Sequence, residues 1–321
     1  MTIILLLVGL GLLILGADRL IKGASDIATV LARKSGASEF IIGFTIVGFG
    51  TSCPELVVSL TGAIQENADI AIGNVVGSNI FNTLFILGIT ALIFPVSMTA
   101  TNRRRDIPIA FVVSILLIIL GMSKSLFGIG KGDTLTRLEG IFFLLAFSAY
   151  LIYNFKSGAP KADKRGKQKT DKLPVAVLFI ALGLAGLIFG SDLFVKKATE
   201  LARSIGVSDK FIATTVLAGG TSIPELAASI TAATRHKDQM ALGNILGSNI
   251  FNILLILGCS SVINPLSFSG MNLIDAAVLV FSSALLILWS YTGRKSHIDR
   301  WEGAVMLLAF TAYYYYLFTK P

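Results

Sequence analysis

A six-residue stretch that occurs twice constrains this chain more than any other feature. GTSCPE at residues 50–55 recurs as GTSIPE at residues 220–225, and the first copy lies inside an apolar segment from about residue 40 to 63. Each copy therefore places a carboxylate, Glu55 or Glu225, in sequence that otherwise suits hydrocarbon. Because an ionisable side chain at bilayer depth is costly, such a residue indicates a functional site.

A second motif follows each copy at the same distance. GNVVGSNIFN at residues 73–82 matches GNILGSNIFN at 243–252, and the offset between the copies is the same as for the first motif. When residues 43–95 are aligned on 213–265 without a gap, nearly half of the positions are identical. The chain is therefore an internal duplication, which sets the fold.

Composition indicates that the chain is embedded in a membrane. Of the 321 residues, 54% are hydrophobic and only 14% are charged, with a mean hydropathy of +0.78. Soluble domains carry about 25% charged residues. Windows of about 20 residues with few charges are typical of spanning helices. We predict ten spans, at residues 3–22, 39–64, 70–94, 106–122, 138–155, 174–195, 210–233, 240–263, 273–291 and 301–318.

Five spans per repeat is an odd number, and this decides the predicted topology. The first repeat (1–155) and the second (174–321) are joined by a basic linker (156–173), so the second must enter the membrane in the opposite orientation. We therefore predict an all-α membrane protein made of two inverted five-helix repeats, a plan that places its site near the midplane. Most of the 27 Lys and Arg lie in the linker and the loops on its side. This excess predicts N-out and C-out termini with a cytoplasmic linker, and it explains the net charge of +8 without a nucleic-acid partner.

A proline in each copy predicts a break in the spanning helix. Pro54 has no N–H, so the carbonyl of Gly50 loses its helical partner, and Pro224 does the same to Gly220. Unsatisfied carbonyls at bilayer depth are tolerated only where they line a cavity or find a ligand. A cation is such a ligand.

The polar side chains around these breaks are all hard oxygen donors. Thr51 and Glu55 share a helix face, as do Ser78 and Asn82, because each pair is four positions apart. The second repeat supplies the same set. Hard oxygens suit Na⁺, Ca²⁺ or Mg²⁺ and not zinc or copper. Two carboxylates balance one divalent ion or two monovalent ions, which is a physical basis for exchange at a shared site.

These paired motifs resemble the α-repeats of the Ca²⁺/cation antiporter superfamily, in particular its Na⁺/Ca²⁺ exchangers, over essentially the whole chain. The resemblance implies four core helices that hold the ions and two long helices, the first of each repeat, that slide past them. It also implies exchange of Na⁺ for Ca²⁺ by alternating access in a prokaryotic inner or plasma membrane, with no cofactor and no protein partner. The implied ion ligands are Glu55, Glu225, Thr51, Ser52, Ser78, Thr221, Ser222 and Ser248, the backbone carbonyls of Gly48 and Ala218, and Asn82 and Asn252.

One departure from the family pattern bears on the transported ions, and three other functions remain as alternatives. Relatives can carry Asp at the position of Asn252, and K⁺-dependent exchangers use Asp in this region, so asparagine in both copies disfavours K⁺ co-transport. A H⁺/Ca²⁺ antiporter could use the same glutamates. A passive cation channel is a further alternative, because broken helices also build selectivity filters. An intramembrane enzyme ranks last, because no histidine base accompanies the serines and glutamates.

Several polar residues outside the ligand set have simpler expected roles. Hydrogen bonding between helices is favoured over ion contact for four further asparagines, at positions 74, 79, 244 and 249. Glu139 and Glu302 open spans 5 and 10, where an acidic residue stabilises a helix N-terminus.

Overall fold

The computed structural model describes residues 1–35, 38–128, 130, 132–156, 173–205, 219–292 and 297–319. Helices dominate the fold. They are α1 (Thr2–Ser35), α2 (Glu39–Ile42), α3 (Gly48–Thr51), α4 (Cys53–Ile64), α5 (Ala68–Ile80), α6 (Leu87–Ile93), α7 (Ile107–Gly121), α8 (Ser123–Phe127), α9 (Arg137–Lys156), α10 (Leu173–Ser204), α11 (Ile223–Thr234), α12 (Asp238–Ile250), α13 (Gly258–Ile263), α14 (Leu273–Tyr291) and α15 (Arg300–Thr319).

Four π-helical segments interrupt the helices in the described part of the chain, and two of them are related by the repeat. They lie at Gly43–Val47, Phe81–Ile86, Asn102–Asp106 and Phe251–Leu257. The second and the fourth begin at equivalent positions of the two repeats. Each starts immediately before an asparagine of the predicted site, Asn82 or Asn252. Short π segments inside α-helices are frequent at functional sites.

Five segments in the described part of the chain are long and apolar enough to cross a membrane. They are Thr2–Leu31, Ala68–Ile93, Leu173–Ser204, Asp238–Ile263 and Leu273–Tyr291. The bent pair Glu39–Thr51 and Cys53–Ile64 raises the number to six if it forms one broken span. The predicted count is ten. One of the other predicted spans, 106–122, contains a regular α-helix of 15 residues, and a π segment precedes it.

The chain divides into two compact units, and each takes segments from both sequence repeats. The first unit contains Met1–Thr51, Ile152–Gly247 and Tyr314–Pro321, and the second contains Ser52–Leu151 and Ser248–Tyr313. The unit boundaries at Thr51 and Gly247 fall within the repeated motifs. The glutamate of the first repeat therefore belongs to the second unit, and that of the second repeat belongs to the first unit.

In the first unit, α1 and α10 pack with their backbones in contact. A Cβ atom added to Gly16 would lie 2.7 Å from the amide nitrogen of Leu187, and one added to Gly183 would lie 2.5 Å from that of Leu20. Because real Cβ atoms do not approach backbone so closely, only glycine fits at these positions. Small residues at such crossings allow close helix approach in membrane proteins.

Reciprocal contacts in the second unit join the two repeats. β1 (Val96–Ser97) pairs with β4 (His297–Ile298), and β2 (Thr134–Leu135) pairs with β3 (Leu266–Ser267). Each pair takes one strand from each repeat. Two guanidinium groups follow the same rule: Arg137 donates to the carbonyl of Ile263, and Arg300 donates to that of Ile93.

The helix termini of this unit carry the expected acidic caps. Glu139 accepts hydrogen bonds from the backbone N–H and hydroxyl of Thr136, and Glu302 accepts one from the N–H of Asp299. Both predicted N-terminal roles are confirmed. In the loop after α8, hydrogen bonds from Ser125 hold the pKa of Asp133 below its usual range.

The α1–α10 contact gives a stability prediction. We expect Gly16→Val to lower the free energy of unfolding by about 1–3 kcal/mol or more, because the new side chain must displace backbone atoms. Thermal unfolding of purified protein in detergent measures this. Gly11→Val on the same helix is the matched control, since a Cβ there meets no described atom within 4 Å. Equal melting temperatures for the two variants would contradict the proposed packing.

Candidate functional site

The two repeated motifs lie at helix breaks, as predicted. In the first copy α3 ends at Thr51 and α4 begins at Cys53, and in the second copy a turn over residues 219–222 precedes α11. Pro54 and Pro224 occupy the second position of the new helix. A missing N–H is harmless there, because the first N–H groups of a helix have no intrahelical acceptor.

Both glutamates are fully buried in the first turn of their helices. The exposed fraction of Glu55 and of Glu225 is 0%. A helix N-terminus favours a carboxylate, because its N–H groups and the helix dipole present positive charge. This placement offsets part of the cost of burying the charge, which for an acidic residue at the bilayer centre is about 2.5–3.5 kcal/mol or more.

In the second unit, two side chains of α5 donate hydrogen bonds to Glu55. The hydroxyl of Ser78 donates to Oε1 of Glu55 at 3.5 Å. The side chain of Asn74 donates to the backbone carbonyl of Glu55 at 3.1 Å and to the hydroxyl of Ser59 at 2.9 Å. Ser52 and Ser78 are both buried. Three of the predicted ligands, Ser52, Glu55 and Ser78, are thus buried together, and Ser78 contacts the carboxylate of Glu55.

The first unit repeats this arrangement around Glu225. The side chain of Asn244 donates to the backbone carbonyl of Glu225 at 3.3 Å and to the hydroxyl of Ser229 at 2.9 Å. Ser222 is fully buried, and Thr221 is partly exposed beside it. Asn244 and its counterpart Asn74 hold equivalent backbone carbonyls, so their predicted role in bonding between helices is confirmed.

Thr51 connects the two sequence repeats inside the first unit. Its hydroxyl lies within hydrogen-bonding distance of the Oδ1 of Asn244 at 3.2 Å and of the carbonyls of Val47 at 3.0 Å and Gly48 at 3.4 Å. A hydroxyl has one hydrogen and two lone pairs, so it donates to one of these at a time and keeps oxygen lone pairs for a further partner. A predicted ligand of the first repeat therefore contacts the asparagine that holds Glu225.

Four asparagines of the second unit form a buried amide network. Asn252 donates to Oδ1 of Asn79 at 2.9 Å, and Asn82 donates to Oδ1 of Asn249 at 3.2 Å. Asn79 donates to the backbone carbonyl of Asn249 at 3.1 Å, and Asn249 donates to the hydroxyl of Thr83 at 2.8 Å. The predicted interhelical role of Asn79 and Asn249 is confirmed.

Two amide oxygens of this network accept no hydrogen bond from the described residues. Oδ1 of Asn82 and Oδ1 of Asn252 are buried and have no hydrogen-bond partner among the described residues. Buried polar atoms are nearly always paired, and an exception needs an explanation. An acceptor without a donor, repeated at equivalent positions of the two repeats, is the expected state of a cation ligand.

The carbonyl of Gly220, which Pro224 leaves without its helical N–H, accepts two hydrogen bonds. The backbone N–H of Ile223 donates at 3.4 Å, and the second donor is a side chain that sequence reasoning missed. The hydroxyl of Ser191, on α10, donates to the carbonyl of Gly220 at 3.0 Å. Ser191 belongs to the sequence GSD at 190–192, and the matching position in the first repeat is Ala17, which has no hydroxyl. The long helix of the second repeat is therefore tied to the broken segment by a bond that the first repeat does not encode.

For the remaining predicted ligands, the structure shows burial or nothing at all. Ser248 is fully buried on α12, and Gly48 is buried at the start of α3. Ala218 lies outside the described residues. Within the described part of the chain there is no group of three or more His, Cys, Asp or Glu side chains that could hold a metal ion.

Other polar partners of the motifs could have been found from the sequence by the constant offset between the repeats. Ser59 and Ser229 are related by it, as are the four interhelical asparagines in two pairs. Thr83 and Ser191 carry no such signal, because their counterparts are Ile253 and Ala17.

Comparison with known proteins decides the family. The model of the family described as sodium/calcium exchanger protein matches residues 1–156 and 175–319. The chain belongs to the sodium/calcium exchanger family. It is therefore an integral membrane protein of a family of ion transporters, with relatives in bacteria and archaea.

Individual relatives agree with this membership along the whole chain. The putative antiporter CaxA of Alkalimonas amylolytica is 40% identical, covering 99% of this chain and 98% of the relative. The sodium/calcium exchanger MaX1 of Methanosarcina acetivorans is 34% identical, covering 98% of both. Among solved structures, the sodium-calcium exchanger NCX_Mj soaked with Na⁺ and Ca²⁺ matches with a TM-score of 0.80 at 32% identity, covering 97% of this chain and 96% of that chain.

The Ser191 contact gives a second stability prediction. We expect Ser191→Ala to lower the free energy of unfolding by about 0.5–1.5 kcal/mol, because the carbonyl of Gly220 loses its hydroxyl donor and keeps only the N–H of Ile223. Ser191→Thr keeps the hydroxyl and should recover most of the loss. Ser148→Ala is the control, since that exposed hydroxyl bonds only within its own helix, at 2.8 Å to the carbonyl of Leu144. Thermal unfolding in detergent compares the three, and equal losses for Ser191→Ala and Ser148→Ala would refute the role of the bond.

Proposed function

We propose that this protein is a Na⁺/Ca²⁺ antiporter that works by alternating access and binds its ions near the membrane midplane. The observation that carries the proposal is the duplicated set of buried oxygen groups around Glu55 and Glu225. Each carboxylate is fully buried at a helix break, beside hydroxyls and an asparagine at equivalent positions. Membership of the sodium/calcium exchanger family supports the identity of the two ions.

The charge of the ligand set fits exchange of these two ions. The predicted ligands include two carboxylates, and all their other groups are neutral hydroxyls, amides and carbonyls. Two negative charges balance one Ca²⁺ or two Na⁺, so loading with either ion gives a nearly neutral site. Ca²⁺ accepts about 6–8 oxygen ligands in flexible geometry, which donors from several helices can supply.

Ion loading would then gate the conformational change. An empty site carries uncompensated buried charge, which resists passage of apolar helices, whereas a loaded site does not. The long helices α1 and α10 are the proposed sliding elements. A ligand shifts an equilibrium between two conformations only if it binds one of them more tightly. Each ion must therefore bind the conformations through which the helices slide more tightly than the others.

We further propose that the chain crosses the membrane ten times as two inverted repeats, with both termini outside and the linker at 156–173 inside. The reciprocal strand and arginine contacts between the repeats support a two-fold relation between them. The excess of basic residues in the linker and in the loops on its side supports the orientation.

The transport experiment uses purified protein in liposomes loaded with Na⁺ and diluted into Na⁺-free buffer containing Ca²⁺ at matched pH. We expect Ca²⁺ uptake that requires internal Na⁺. Glu55→Gln and Glu225→Gln should each reduce the uptake rate at least about 100-fold, because each removes one of two charges that bind the ion and about 3 kcal/mol of interaction is a factor of that size. Glu139→Gln, which removes a partly exposed cap carboxylate, is the control and should transport normally.

The same liposomes separate the rival functions. Uptake driven by a pH gradient without Na⁺ would replace the driving ion with H⁺ and keep the glutamates. Ca²⁺ flux that needs no counter-ion would indicate a channel. Normal exchange in either glutamate variant would overturn the site assignment.

Topology is tested by labelling single cysteines in a variant that lacks Cys53 and Cys259. We expect Lys124→Cys to react with a membrane-impermeant maleimide in intact cells, because the loop after α7 is proposed to face outward. Arg104→Cys should react only after permeabilisation. Both side chains are exposed in the structure, so accessibility within the protein does not limit either reaction. The opposite pattern would reverse the proposed orientation.

A further inference from the structure

We propose that Asn79 and Asn249 are positioning residues that fix the amide groups of Asn252 and Asn82 with their oxygens available to the cation. The inference rests on the proposed function, because it assumes that Asn82 and Asn252 bind the transported ions. It concerns only the second unit, which contains all four asparagines and Thr83.

The orientation of a ligand amide decides whether it attracts or repels a cation. An asparagine side chain carries an acceptor oxygen at one end and two N–H donors at the other, in nearly the same shape. Rotation by half a turn would therefore replace a cation ligand with donors that repel the ion. A site that uses amides needs something to hold each one in the productive orientation.

The network supplies that restraint at both positions. Asn252 donates to Oδ1 of Asn79, and Asn82 donates to Oδ1 of Asn249. A reversed amide would bring two oxygens together at this contact and lose its hydrogen bond. The two NH₂ groups are thus committed to the network, which is why both Oδ1 atoms are left without a donor among the described residues.

The two positioning residues are themselves held in different ways, and this difference makes the idea testable. The NH₂ group of Asn79 donates to a backbone carbonyl, that of Asn249. A carbonyl can only accept. The NH₂ group of Asn249 donates to the hydroxyl of Thr83, which can either accept or donate.

Aspartate should therefore be tolerated at one position and not at the other. In Asn249→Asp, one carboxylate oxygen still accepts from Asn82, and the Thr83 hydroxyl reverses to donate to the other. In Asn79→Asp, a carboxylate oxygen faces the carbonyl of Asn249, so the side chain is displaced and its contact with Asn252 is weakened. Both variants add the same charge, so the comparison isolates geometry.

Ion binding is measured first, by thermal stabilisation of the full-length protein in detergent during Na⁺ and Ca²⁺ titrations. A ligand that binds only the folded state raises the melting temperature as its occupancy increases. We expect Asn79→Leu and Asn249→Leu, which keep the side-chain shape, to raise the half-saturating Na⁺ concentration about fivefold to tenfold, the effect of one lost hydrogen bond. Asn154→Leu, at a buried asparagine of α9, is the matched control and should leave it unchanged.

The same titrations compare the aspartates. Asn249→Asp should bind Na⁺ more tightly than Asn79→Asp, with a half-saturating concentration close to that of the wild type. Liposome uptake separates the half-saturating ion concentration from the maximal rate, and a merely structural role would change only the second. Positioning raises the half-saturating ion concentration, whereas loss of folded protein lowers only the maximal rate.

Each remaining outcome decides the matter. Unchanged half-saturating concentrations in both leucine variants, or tighter binding by Asn79→Asp than by Asn249→Asp, overturn the positioning role. If the wild type binds the ions but shows no Na⁺-driven uptake, the proposed function fails while the binding series still tests the network. A wild type that binds neither ion overturns both.

Discussion

The burial of two carboxylates in apolar helices is the constraint on which the rest of this structure depends. A charged side chain at such a position is tolerated only where the surroundings compensate it. Here each glutamate lies in the first turn of a helix that restarts after a break, where the helix dipole and free N–H groups favour negative charge. The break follows from a proline at the second helical position, so two sequence features, Pro and Glu at adjacent positions, create and stabilise the same local structure.

Buried asparagines hold the segments around the two glutamates by hydrogen bonds. Asn74 and Asn244 hold the backbone carbonyls of Glu55 and Glu225, while Asn79 and Asn249 each accept a hydrogen bond from an amide of the opposite repeat. Buried polar networks of this kind rigidify a core and specify one arrangement of it. All of these asparagine side chains are neutral, so their hydrogen bonds are made without adding a buried charge.

The sequence was sufficient for the repeat, the helix breaks, the buried glutamates and the interhelical role of the four asparagines, because each rests on local spacing or on the constant offset between the repeats. It was not sufficient for the direction of each hydrogen bond. Whether Thr51 meets Asn244, and whether Ser191 meets Gly220, depends on packing between segments far apart in the chain. The division into compact units depends on the same packing, since it cuts through the repeated motifs and not between the repeats. The ten-span count stays a prediction, because helix length and hydropathy alone identify five or six spans among the described residues.

In the proposed alternating-access mechanism, departures from the repeat affect the relative free energies of the two states. If two inverted repeats were identical, the outward-facing and inward-facing states would have equal free energy by symmetry, and only the ions and the membrane potential would bias them. Ser191 opposite Ala17 and Thr83 opposite Ile253 break that symmetry in buried positions, with one hydrogen bond each. A net hydrogen bond contributes about 0.5–1.5 kcal/mol, which changes a two-state ratio by roughly two- to tenfold. In the proposed mechanism, differences of this size at two positions are enough to favour one resting state and to leave both states within reach of ion binding.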